Sequence, residues 1–139
     1  MTQATLRWGV VVGVAALGAS VPMFAQAQTR SVNDGVYTAA QADRGQKTFE
    51  SACTVCHDVD RFRSADFINS WKNEPVSSLL ETLRGTMPAD NPGGLQPQEY
   101  ADVIAYFLKL NRYPVGSSEL PATKDATSTI RIESLKSAQ

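Results

Sequence analysis

Five consecutive residues, Cys53-Thr54-Val55-Cys56-His57, hold both cysteines and the only histidine of the 139-residue chain. That concentration constrains the fold more than any periodicity does, because whatever these side chains bind must lie against one short stretch of backbone. A zinc centre takes about four ligands, and no further Cys or His is present to complete one. A thioredoxin-like C-x-x-C pair belongs at a helix start after a strand, whereas the residues before Cys53 read as helix, without strand alternation. A disulfide across two intervening residues closes too short a loop to gain much entropy, and is usually strained. The C-x-x-C-H run is the attachment signature of c-type haem. Two thiols three positions apart reach the two vinyl groups on adjacent porphyrin edges, and the imidazole that follows is placed under the iron as an axial ligand.

The second axial position follows by elimination. There is no second His, and Met1 and Met23 precede the region that folds, which leaves Met87. Met87 lies in Gly85–Gly94, a stretch without helical or strand periodicity, in which Asn91-Pro92-Gly93-Gly94 reads as a type II turn. A thioether on a turn-rich loop is an odd core residue and a natural iron ligand. The alternatives are a gap-filling core Met, a Lys ligand, or an open position.

Arg7 precedes an uncharged apolar run from Trp8 to Val21, followed by Pro22 and Ala25-Gln26-Ala27. A basic start, a short apolar middle and small residues at −3 and −1 form the secretory signal pattern over residues 1–27, with cleavage near Ala27. The run is shorter than the ~20 residues a bilayer span needs, and no second apolar segment of that length follows. The expected product is a periplasmic protein with no stable membrane span. The full chain's net charge of −1 argues against a nucleic-acid partner. With 42% hydrophobic and 19% charged residues the chain is too apolar to be disordered.

Three helices are expected, separated by turns. The first runs from a Thr38 cap, with Gln41 completing a capping box, to about Cys53, and carries Ala39, Ala42, Gly45 and Phe49 at helical spacing. Gly45 costs ~1 kcal/mol relative to Ala inside a helix, which a close helix crossing would explain. The second starts at Pro75 and ends at Gly85, with Val76, Leu79, Leu80 and Leu83 on one face. The third runs from Pro97 to near Leu110, with an apolar surface wide enough to need two packing partners: haem and the first helix. Between His57 and Pro75, a mixed-charge loop supplies Arg61, Arg63 and Trp71, which with Arg84 are candidate donors to haem propionates. Residues 28–37 form an N-terminal extension, 38–110 the haem domain, and 111–139 a turn-rich, polar tail that either wraps the domain or waits for a partner.

Residues 38–110 resemble class I, single-haem c-type cytochromes. The likeness rests on the Gly45-to-Phe49 spacing before Cys53-x-x-Cys56-His57, on Met87-Pro88, and on Ile104-Ala105-Tyr106. It implies an all-α cytochrome c fold of three to five short helices around one covalent haem c, with Gly45 and Phe49 packed on Tyr106. Met87-to-Leu95, Tyr100-to-Tyr106 and Pro114-x-Gly116-x-x-Glu119-Leu-Pro121 are similar to small cytochromes associated with periplasmic, often PQQ-dependent, dehydrogenases. The resemblance implies one-electron transfer rather than catalysis. Its partners would be a periplasmic dehydrogenase as donor and another cytochrome or a terminal oxidase as acceptor; the alternative is a fixed cytochrome subunit of such a dehydrogenase. The family commonly has a Pro some ten residues after the haem His whose carbonyl orients the imidazole; here none occurs between His57 and Pro75.

Overall fold

The computed structural model describes residues 28–136, so the export signal read over residues 1–27 lies outside the described residues. Helix α1 spans Ala39–Ala52 and is capped by Thr38, whose hydroxyl accepts the Gln41 N–H at 3.1 Å. The expected capping box is only half made. Gln41 is fully buried and its amide turns away from the cap to exchange two bonds with the Leu120 backbone, at 2.7 and 2.9 Å. A buried amide needs all its polar atoms satisfied, and two partners 79 residues away outweigh one local N–H.

Helices α2 (Ala65–Ser70), α3 (Val76–Thr86), α4 (Pro97–Leu110) and α5 (Lys124–Thr127) follow. The fold is all-α, as expected of a cytochrome c fold. Helix α2 falls in the segment read as a loop; its signal was the Ser64 cap, whose hydroxyl accepts the Phe67 N–H, with the Phe67/Ile68/Trp71 spacing behind it. Helix α3 begins one residue later than expected, with Pro75 as its cap, and ends directly against Met87. Its stripe behaves as patterned: Val76, Leu79 and Leu80 are buried. Complete burial of a side chain such as Leu80 stabilises by roughly 1.5–3 kcal/mol.

Helix α4 is the axis of the molecule, buried at every residue from Tyr100 to Leu108. It crosses α1 so closely that a Cβ on Gly45 would stand 1.8 Å from the Asp102 carbonyl oxygen. Gly45 therefore meets Asp102 and Val103, one turn before the Tyr106 that the family likeness implied. Phe49, one turn further along α1, does pack on Tyr106, with ring centroids 5.7 Å apart. The buried Asp102 carboxylate, on the same turn, is neutralised by Arg44 in a two-point pair at 2.8 and 3.0 Å, and Arg44 also grips Glu119. Those two carboxylates push the guanidinium further above its ordinary pKa, Asp102 first.

The tail wraps the domain. Tyr113, Leu120, Ile130 and Ile132 are buried with Val32, Val36 and Tyr37 of the N-terminal extension. Arg30–Ser31 (β1) lies parallel to Ile130–Arg131 (β2), and Ile132 bonds through its own backbone to Asn73 and Glu74, just before α3. The two chain ends touch at Gly116, where a Cβ would meet the Gly35 carbonyl oxygen at 1.8 Å. The tail motif from Pro114 to Pro121 thus has internal uses: Gly116 for close approach, Glu119 for Arg44, Leu120 for Gln41.

Candidate haem site

Helix α1 ends at Cys53, its C-cap, whose N–H still donates to the Phe49 carbonyl at 2.9 Å. The next turn closes on the same residue, with the His57 N–H donating to the Cys53 carbonyl at 2.9 Å. Cys53 is half-buried and Cys56 exposed, both as free thiols, and burial pushes the Cys53 thiol above its ordinary pKa. The His57 ring stands edge-on to Phe62, centroids 5.6 Å apart. Phe62 in turn stacks flat on Phe107 of α4 at 4.5 Å. The imidazole thus rests on an aromatic cluster in a chain that lacks the family's usual Pro.

Met87 enters from the other chain segment. It caps the C-terminal end of α3, its N–H bonded to the Leu83 carbonyl at 2.9 Å, and its carbonyl accepts the Tyr100 hydroxyl of α4 at 2.8 Å. The turn beyond it is as read from sequence: Gly93 has φ +77°, and the Gly94 N–H reaches the Asn91 carbonyl at 2.9 Å.

Both segments line a single cavity of about 780 Å³, and Cys53, Cys56, His57 and Met87 all stand on its surface. The volume lies within the range of small-molecule and cofactor sites, which are mostly apolar with few polar groups. Most of the remaining wall is apolar or aromatic, including Phe67, Trp71, Leu79, Leu83, Val103 and Phe107, with a minority of polar residues such as Ser70, Thr82 and Asn91. Two thiols, one imidazole and one thioether around an apolar hollow are the donor set a covalently held haem needs. The residues present fit that group.

Of the four candidate propionate donors, Arg61 and Trp71 line the cavity. Arg63 and Arg84 do not; they lie beside Asp60 at 3.9 Å and Glu81 at 3.5 Å. Among the described residues, Arg61 and Asp90 are the only Arg, Lys, Asp or Glu side chains in the lining. Tyr100 belongs to the apolar surface of α4, and its hydroxyl bond to the Met87 carbonyl has no signature in the sequence, because helical spacing cannot tell a Tyr from a Phe.

Residues 40–107 match the family model described as Cytochrome C oxidase, cbb3-type, subunit III. That match supports a c-type cytochrome. The match begins just inside α1 and ends at Phe107, spanning the cavity-lining segments from Phe49 onward. No curated protein and no solved structure gave a significant match. A cytochrome c domain implies haem c, redox partners and haem-based electron transfer. Among the described residues no helix is long and apolar enough to cross a membrane.

Proposed function

We propose that this cytochrome is a periplasmic one-electron carrier, with one haem c held by Cys53 and Cys56 and its iron ligated by His57 and Met87. The observation that carries the reading is that these four residues, so scarce in the sequence, all border the same apolar cavity. When bound, the haem accepts and releases one electron at its iron. The chain does the rest. Cys53 and Cys56 would fix the ring by thioether bonds. His57, backed by Phe62, and Met87 would fill both axial positions, leaving no site for substrate. Met/His ligation raises the reduction potential, and the aromatic walls exclude water. Arg61 and Trp71 supply the donors that a partly buried propionate needs.

A periplasmic dehydrogenase as donor, and another cytochrome or a terminal oxidase as acceptor, fit an exported carrier. The fixed-subunit alternative would use the tail for docking. The tail's marked residues are engaged inside the chain, which favours the free carrier.

An optical spectrum of the purified holoprotein tests the assignment. The expected ferric spectrum is low-spin with a weak far-red band, lost in Met87→Ala. Haem should survive denaturing electrophoresis in the wild type and be absent when Cys53 and Cys56 are both replaced by Ser. A high-spin spectrum, or a far-red band indifferent to Met87→Ala, would sink the ligand set.

A further inference from the structure

The Tyr100 hydroxyl ties both ends of the loop that follows Met87. It donates to the Met87 carbonyl at 2.8 Å and accepts the Leu95 N–H at 3.4 Å. Among the described residues the only other bond to that carbonyl is from the Gly93 N–H, also at 3.4 Å. Tyr100 is itself 1% exposed, stands on the cavity surface, and belongs to the helix that crosses α1 at Gly45. The short bond from Tyr100 therefore sets the position of residue 87 relative to the α1–α4 frame.

We propose that Tyr100 is a positioning residue for Met87: its hydroxyl latches the 87–95 loop to α4 and so fixes where the thioether stands in the cavity. The inference rests on the reading of Met87 as an axial ligand. A thioether is a neutral, weak donor, so it keeps an axial place only where the chain holds it there in advance. Preorganisation of this kind converts directly into effective affinity. Loosening the loop gives the advantage to any competing ligand from solution.

The test uses the ferric holoprotein, with imidazole as the competing ligand, and compares Tyr100→Phe with wild type. The ring, and with it the packing, is kept; only the latch is removed. Imidazole should displace the far-red band with about tenfold higher affinity, the scale expected for loss of one buried hydrogen bond. Amide exchange at Leu95 should quicken. Tyr37→Phe is the control, since Tyr37 is equally buried and donates to the Tyr113 carbonyl at the same 2.8 Å, remote from the cavity. It should lower the denaturation midpoint while leaving imidazole affinity and Leu95 exchange at wild-type values. Equal shifts in both variants would reduce Tyr100 to a packing residue and overturn the proposal. Unchanged Leu95 exchange in Tyr100→Phe would overturn the latch alone. Equal imidazole affinity in wild type and Met87→Ala would instead overturn the axial reading on which it rests.

Discussion

The segment bearing Cys53, Cys56 and His57 and the segment bearing Met87 line one cavity but are built in different ways. The first is held by its own neighbours: Cys53 and Thr54 to Phe49, Thr54 to Glu50, His57 to Cys53, no bond spanning more than five residues. The second has turn bonds of its own, Asn91 to Pro88, Gly94 to Asn91 and Gly93 to Met87, but is fixed to the helices at Leu83 and, from further along the chain, by Tyr100. Tyr100 fastens its far side, and α3, which leads into Met87, is tied just before its start to Ile132, through Asn73 and Glu74. A local segment keeps its shape wherever α1 goes. The Met87 segment keeps its place only while α4 and the strap formed by the tail are in place.

Three perturbations separate these supports. The largest effect should come from Gly45→Ala, because the α1–α4 crossing underlies both segments and the added Cβ meets backbone 1.8 Å away. Over-packing of this kind costs typically 1–3 kcal/mol, and an obstruction made of helix backbone should put it at about 3 kcal/mol, read from chemical denaturation together with poor haem retention. A cost below about 1 kcal/mol would mean the helices can move apart without harm.

Gln41→Ala should cost less and sharpen the contrast. It leaves the buried Leu120 N–H and carbonyl without their partner, for about 2 kcal/mol. Neither ligand-bearing segment is touched, so the far-red band should not change. A weakened band would show that the strap reaches Met87 through α3 more directly than its hydrogen bonds suggest.

The smallest effect at neutral pH is a titration. Burial raises the pKa values of Tyr37 and Tyr113, which lie between the N-terminal extension and the tail. A folded state that holds these protons more tightly than the unfolded one is fully stabilised below the unfolded value of about 10. That contribution is lost as pH rises through the raised folded values. Denaturation midpoints should stay level up to about pH 10 and fall beyond it. A decline that begins well below that pH would assign it to other groups.

Much of the fold was legible because its signals are local. Thr38 and Pro97 mark where α1 and α4 begin, the α3 stripe buries as patterned, and Gly93 takes the positive φ its turn requires. What was not legible involves side chains that answer to distant partners. Gln41 had a local role open to it and took a remote one. Gly45 showed that a crossing existed but not which turn of α4 it met. The segment before Pro75 carried a cap and three large apolar residues, yet its charges masked a helix.

By itself the sequence determined the chemistry the site can hold, because two Cys, one His and one Met in residues 28–139 leave each kind of ligand no rival. It also determined α1, α3 and α4, whose hydrogen bonds close within four residues. Only the tertiary structure decided that Met87 reaches the same cavity as His57, that Tyr100 holds it there, and that the tail is a strap. Those outcomes depend on burying polar groups against partners tens of residues away, and no local spacing encodes which partner wins.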